Sequence, residues 1–154
     1  MIRTGRTQKA AAFAAFIGGA MMVTIAPTTT ADAMSAYRWK NRPLLVFAPS
    51  NSAAALRRQS QLLNGKAAGL RDRDMVVVRV VGDRVSARGG RGPGLSAAAL
   101  RKRYGVAPGG FRVILVGKDG GAKLSSGAPV SMGRVFRLID GMPMRRQEMR
   151  RRGQ

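Results

Sequence analysis

Three short apolar runs in the chain predict buried strands. Residues 44–47 and 75–81 are rich in leucine and valine, and polar or turn-forming residues bound each of them. Residues 111–116 form a third run of the same kind. Apolar runs of this length are typical of strands that are covered on both faces. The pattern therefore indicates a sheet with buried strands.

Helical segments are expected between and after these strands. Ser52 is predicted to cap a helix that Gly65 ends in the left-handed conformation. Ser96 caps a short second helix, and Ser131 begins the last one. The apolar stripe of the last helix consists of Val135, Leu138, Ile139 and Met142.

The order of elements predicts an α/β fold. Asp119 and Gly120 form a turn between the third strand and a returning strand at residues 122–125. A βαβ half followed by a ββα half is the element order of a single thioredoxin-like domain. The glycine-rich stretch after the second strand is expected to be a basic loop, which carries Arg84, Arg88 and Arg91.

The first part of the chain has the pattern of a cleavable signal peptide. Basic residues precede a charge-free, largely apolar stretch, and Ala31 and Ala33 fit the two positions that a signal peptidase reads. A retained membrane anchor is the alternative, but glycines and a polar segment interrupt the run. We expect a signal peptide over residues 1–33, the thioredoxin-like domain over 34–142 and an arginine-rich tail over 143–154. The mature protein would then be exported, to the periplasm or the extracellular space.

Composition excludes several kinds of chemistry. The 154 residues include neither cysteine nor histidine, so disulfides, thiol nucleophiles and imidazole catalysis are excluded. Lys and Arg number 28 against 7 acidic residues, which gives a formal charge of +21 and favours anionic partners. The arginines could also be a compositional bias of the chain that leaves them on a solvated face.

The C-terminal segment is the richest candidate for binding. Its arginines are Arg145, Arg146, Arg150, Arg151 and Arg152. The spacing allows a short cationic helix with a Glu148–Arg152 ion pair, whereas the alternative is a solubilising tail. Because the apolar stripe ends near Met142, removal of the segment from Arg145 onward is expected to leave the core intact. Trp39 could stack on a ligand or belong to the core.

Three segments of the chain carry a family resemblance. Residues 37–49, residues 117–121 and residues 139–149, together with Arg71-Asp72-Arg73-Asp74, resemble the secreted family called domain of unknown function 4174. The resemblance implies a thioredoxin-like or peroxiredoxin-like core and implies no established reaction. The family-motif residues, of unknown role, are Trp39, Arg42, Lys118, Asp119, Asp140, Met142, Pro143, Met144 and Glu148.

A redox site of the thioredoxin kind has no sulfur in this sequence. The loop after the first strand reads Ala48-Pro49-Ser50-Asn51-Ser52, where a working enzyme presents a thiol, and its serines are expected to cap the helix. Asp72 and Asp74 are expected to form surface ion pairs rather than a catalytic pair. The scattered carboxylates give no metal site.

These observations favour an exported, non-catalytic thioredoxin-like domain that binds anionic lipid or polysaccharide of the cell envelope. Nucleic acid is the second partner to consider, and no cofactor or metal is expected. The alternative is an enzyme or redox accessory protein that uses the cleft of the fold without a thiol.

The signal sequence generates the first testable prediction. Cleavage after Ala33 should leave a mature protein that begins at Met34, because Ala31 and Ala33 occupy the recognition positions. N-terminal sequencing of protein from the envelope fraction measures this directly. Recovery of the uncleaved chain in the cytoplasm would contradict export.

Overall fold

Five strands form one mixed sheet in the order β3-β2-β1-β4-β5. The computed structural model describes residues 34–88 and 94–153. The strands are β1 (Arg42–Ala48), β2 (Met75–Val81), β3 (Arg84–Arg88), β4 (Arg112–Val116) and β5 (Ala122–Ser126). The helices are α1 (Ala54–Leu63), α2 (Ala67–Asp72), α3 (Ala97–Tyr104), α4 (Met132–Asp140) and α5 (Pro143–Arg151).

The topology confirms the predicted fold class. β1 and β2 are parallel and are joined through α1 and α2, whereas β4 runs antiparallel to β1 and forms a hairpin with β5. A parallel βαβ unit followed by a ββα unit in one sheet is compatible with a single thioredoxin-like domain. All seven residues of β1 are buried, because β1 lies at the centre of the sheet.

The core has two layers, one on each face of the sheet. Alternate residues of β1 point to opposite faces, so that Leu45 and Phe47 pack with Leu100 of α3. Leu44 and Val46 belong to the other layer, which α1 and α4 cover. Val135 and Ile139 supply the buried part of the predicted stripe on α4, but Leu138 is 37% exposed.

Two elements differ from the sequence prediction. The basic loop after β2 begins with a strand, since β3 pairs antiparallel with β2 through a tight turn at Gly82, whose φ is +53°. Val85 and Ala87 pack on the core while Arg84 and Arg88 are exposed, which is the two-residue period of an edge strand. The short helix α2 was also not predicted.

The predicted helix caps are confirmed at two of three positions. The hydroxyls of Ser96 and Ser131 accept hydrogen bonds from the Ala99 and Arg134 amides. Ser52 is not a cap, because α1 begins after Ala53 and makes no side-chain cap bond. Gly65 has the expected left-handed conformation, with φ +71°.

Some sequence predictions fall outside the described residues. The predicted signal peptide, residues 1–33, lies there, and so do Arg91 and Gln154. Among the residues that the structure describes, no helix has the length and hydropathy needed to cross a membrane.

Gln59 of α1 ties the helix layer to the loop before α4. Its side chain is fully buried, and its Nε2 donates to the Val130 carbonyl at 3.1 Å while its Oε1 accepts from the Val130 amide at 2.7 Å. One side chain thus satisfies both backbone polar groups of a buried residue, as a neighbouring strand would.

We predict that Gln59→Leu lowers the free energy of unfolding by about 2–4 kcal/mol, because two buried backbone groups lose their partners. Urea denaturation measures the change. Gln61→Leu, an exposed position on the same helix, is the control and should change stability by less than about 0.5 kcal/mol. Equal effects of the two substitutions would show that the Val130 contacts contribute little.

Candidate functional site

The end of the sheet where a thioredoxin-like enzyme carries its thiol contains a serine pair. Ser50 and Ser52 are exposed, and their hydroxyl oxygens lie 2.9 Å apart. The guanidinium of Arg57 donates to the Ser52 carbonyl. The described contacts give neither hydroxyl a general base.

A buried arginine binds backbone carbonyls at the same end of the sheet. Arg101 of α3 is 7% exposed and donates through Nη2 to the Ala48 carbonyl at 3.0 Å and through Nη1 to the Ala107 carbonyl at 3.0 Å. Its guanidinium also lies 5.8 Å from the centre of the Phe47 ring. These contacts fix the end of β1 and give this region a structural role.

The opposite end of the sheet holds a cluster of interlocked ion pairs, which we call the ion network. Its centre is Glu148 of α5. Arg42, the first residue of β1, donates hydrogen bonds to this carboxylate from both terminal nitrogens, at 3.1 and 3.0 Å. Lys118, which follows β4, donates to the same carboxylate at 2.7 Å. Arg42 is 1% exposed and Lys118 9%.

Asp74 is the second carboxylate that Lys118 contacts. The Nζ atom of Lys118 lies 2.8 Å from the Asp74 carboxylate, at the start of β2. Asp74 has φ +51°, a left-handed conformation that aspartate tolerates better than most residues. Lys118 therefore bridges β2 and α5.

Arg145 of α5 forms the second half of the ion network. Its Nη2 lies 2.5 Å from the Asp72 carboxylate, its Nη1 donates to the Asp72 carbonyl at 2.9 Å, and its Nε lies 3.3 Å from Asp140. Arg73 pairs with Asp140 at 2.7 and 3.0 Å and stacks 4.4 Å from the Phe136 ring centre. The Asp72–Asp74 turn and α4 are thereby bound to α5.

Electrostatics keeps the central carboxylates ionised. Burial acts to raise the pKa of Glu148, but hydrogen bonds from Arg42 and Lys118 and their positive charges outweigh it, so the pKa lies below its ordinary value. The pKa of Asp140 is lowered in the same way, where Arg73 and Arg145 overcome the effect of burial. A basic side chain separates the carboxylates from one another. Within residues 34–88 and 94–153, no group of acidic side chains could hold a metal ion.

The structure corrects two predictions about the C-terminal segment and, of the two alternatives for its conformation, confirms the helix. Residues 143–151 form a helix that packs on the domain, with Pro143 at its first turn, and not a free tail. Arg145 was predicted to bind an anionic partner, but its guanidinium is 1% exposed and already paired. Glu148 pairs with Arg42 and Lys118 instead of Arg152, which lies near Asp72 and Asp74 and is 41% exposed.

Removal of the segment from Arg145 onward would therefore disturb the core, contrary to the sequence-based expectation. The deletion would take the Glu148 carboxylate from Arg42 and Lys118 and the Arg145 guanidinium from Asp72 and Asp140. A buried charge that loses its partner is strongly destabilising.

The other predicted arginines of this segment and of β3 are accessible. Arg146, Arg150 and Arg151 of α5 and Arg84 and Arg88 of β3 are exposed. Within the described segments, none of these five guanidinium groups forms an ion pair.

Trp39 is a surface residue and not part of the core. It is 63% exposed, with φ +62°, and the Arg38 guanidinium lies 5.7 Å from its ring centre. Its amide donates to the Lys118 carbonyl at 2.7 Å, which binds the segment before β1 to the turn that holds Lys118.

Comparison with known proteins gives a family for the chain. The family model described as Domain of unknown function (DUF4174) matches residues 33–148. The chain belongs to this family.

A vertebrate protein contains a similar segment. Coiled-coil domain-containing protein 80 of Danio rerio is 31% identical over 140 residues, which cover 80% of this chain and 16% of that protein. The chain thus corresponds to a small part of this relative. No solved structure matches the chain significantly.

The segments that carry the resemblance to DUF4174 meet in the ion network. Arg42, Lys118, Asp140 and Glu148 all contribute side chains to it, although they come from three separate segments of the chain. Asp119 is different, because it pairs with Lys123 at the exposed hairpin turn. Met142, Pro143 and Met144 form the junction at which α5 begins. The DUF4174 motif residues at the ion network therefore have a structural task in this protein.

We predict that Glu148→Gln lowers the free energy of unfolding by about 3 kcal/mol at pH 7, because Arg42 and Lys118 lose their shared negative charge. Asp119→Asn is the control, since it removes a carboxylate from an exposed ion pair and should cost at most about 1 kcal/mol. Chemical denaturation followed by circular dichroism measures both. Equal losses would contradict a central role for Glu148.

The pH dependence gives a second measurement of the same pair. The folded-state pKa of Glu148 is below the ordinary value of 4.5, so its contribution is complete above that pH and is lost as the pH falls through the folded-state pKa. Wild-type stability should decline below about pH 4.5, and Glu148→Gln should flatten this decline. An unchanged acid limb in the variant would show that other carboxylates determine it.

Proposed function

We propose that this DUF4174 domain is a non-catalytic binding module for anionic lipid surfaces or polysaccharides of the cell envelope. Its binding groups are the exposed arginines of α5 and β3, namely Arg146, Arg150, Arg151, Arg84 and Arg88. Guanidinium groups bind phosphate, sulfate and carboxylate through paired hydrogen bonds.

The observation that carries the proposal is the separation of charges in the fold. The chain has only seven acidic residues, and four of them lie in the ion network. Asp119 pairs with Lys123, which leaves Asp83, in the turn before Arg84, as the one carboxylate without an ion pair among the described residues. A surface of one sign attracts anionic partners over a distance of about one Debye length, roughly 10 Å at 0.1 M salt.

The packing of α5 supports binding by its outer face. Arg145 and Glu148 hold the inner face against the sheet, whereas Arg146 and Arg150, four residues apart, are exposed. A helix that is already folded avoids most of the entropy cost of ordering a tail on contact. The ion network holds α5 on the domain, so its exposed arginines would meet a partner from a helix that is already folded.

Counterion release provides the test of this proposal. Binding of the mature domain to a sulfated polysaccharide and to vesicles with anionic phospholipids is measured over a salt series. Replacement of Arg146, Arg150 and Arg151 by Gln should reduce the slope of log affinity against log salt by up to about three units, each contact contributing somewhat less than one. Circular dichroism checks that the variant remains folded.

The control variant changes the same amount of charge elsewhere. Arg57, Arg58 and Lys66 are exposed residues in and after α1, and their replacement by Gln should leave most of the slope unchanged. Equal losses in the two triple variants would show that only the total charge matters. Tighter binding to duplex DNA than to either envelope polyanion would overturn the choice of partner.

A further inference from the structure

A groove lies between the helices α1 and α2 and the edge of the sheet at β2 and β3. Its volume is about 670 Å³, within the range of ligand pockets in proteins. The apolar wall consists of Leu63, Leu70, Met75 and Val77. Three arginines, Arg71, Arg79 and Arg88, line it as well.

Arg79 stands out because it is a cation inside a valine-rich strand. It is the fifth residue of β2 and lies opposite Val46 of β1 and Ser86 of β3, on the face that α1 partly covers. A partly buried guanidinium loses hydration, and proteins usually compensate with a carboxylate. No carboxylate in the described part of the chain pairs with Arg79.

The one described partner of Arg79 is a weak one. Its Nη2 lies 3.5 Å from the Ser60 hydroxyl oxygen, at the limit of a hydrogen bond. The Ser60 hydroxyl donates its proton to the Leu56 carbonyl at 2.8 Å, so it can only accept from Arg79. A guanidinium has five N–H donors, most of which therefore remain available to a ligand.

The groove has more positive than negative side chains, which favours an anionic ligand. Asp74 is the one carboxylate among the described lining residues, and Lys118 and Arg152 already contact it. Arg71 and Arg88 are exposed at the groove and form no ion pair within the described segments. A ligand with one anionic group and an apolar chain would pair with Arg79 and bury its chain against the leucines, Met75 and Val77.

We propose that this groove is a discrete site for a single-chain anionic amphiphile, a molecule with a carboxylate head and an acyl chain. Arg79 binds the head, and the apolar wall binds the chain. The site goes beyond the proposed polyanion surface, with which it shares only Arg88.

Laurate is the probe for the site, used below its micellar concentration and measured by calorimetry on the mature domain. We expect saturable binding of one laurate per chain. Dodecyltrimethylammonium, which has the same chain and the opposite charge, and inorganic phosphate, which has no chain, should bind at least about tenfold more weakly, because each lacks one of the two interactions. Methyl resonances of Met75, Val77, Leu63 and Leu70 should shift on binding.

Arg79→Met keeps the apolar stem of the side chain and removes its charge. It should weaken laurate binding about tenfold or more, and Arg79→Lys should restore part of the affinity. Arg112→Met is the matched control, since Arg112 is also a partly buried strand residue that contacts one serine hydroxyl, at 3.3 Å, but lies outside the groove. Circular dichroism checks that each variant is folded. If Arg79→Met does not fold, the laurate affinity of Arg79→Lys and the methyl shifts of the wild type test the site instead.

Several results would overturn the proposal. These are laurate binding that does not saturate at one equivalent, equal affinity of wild type and the Arg79 variants, methyl shifts outside the groove, or equal binding of phosphate. The Arg146, Arg150 and Arg151 triple variant should retain laurate binding. Its failure to bind polysaccharide would therefore concern the surface alone, and the two proposals are tested separately.

Discussion

Two buried cations of this domain meet at a single carboxylate. Arg42 begins the central strand and Lys118 follows its antiparallel neighbour, and both pair with Glu148 of the last helix, while Lys118 also pairs with Asp74. Neither cation could stay buried at this end of the sheet without an anion, because desolvation of an unpaired charge costs several kcal/mol. Helix α5 is therefore a required part of the fold. The same requirement determines which face of α5 is turned inward and which arginines remain outside.

The ion network also shapes the electrostatics of the whole molecule. The chain has a formal charge of +21, and four of its seven carboxylates lie together in the ion network. There they pair with three buried cations, Arg42, Lys118 and Arg145. Outside the network, most of the exposed charged side chains that the structure describes are basic, and three arginines line the groove beside β2. A large cationic surface and a stably folded core are compatible in this protein because the acidic residues are concentrated where burial makes them most effective.

Local patterns predicted the central strands, the hairpin turn at Asp119 and the caps at Ser96 and Ser131, since each depends on neighbouring residues. The partners of Arg145 could not be predicted in this way. Arg145 and Arg146 are adjacent and chemically identical, yet one is buried and the other exposed, and Asp72 lies 73 residues away in sequence. The two-residue period of β3 is present in the sequence, but a run of five residues among glycines and arginines is equally typical of a loop until its pairing with β2 is known. The position of Arg79 could not be predicted either, because it interrupts a run that otherwise consists of apolar residues.

The contact between Arg42 and Glu148 joins residues that are 106 positions apart. Contacts between residues so far apart in sequence form late in folding. The entropy cost of closing a long loop must be met before such a contact stabilises the fold. During synthesis, the central strand emerges long before the helix that neutralises its first residue. The domain therefore cannot complete its fold until Glu148, near the end of its last helix, has been made.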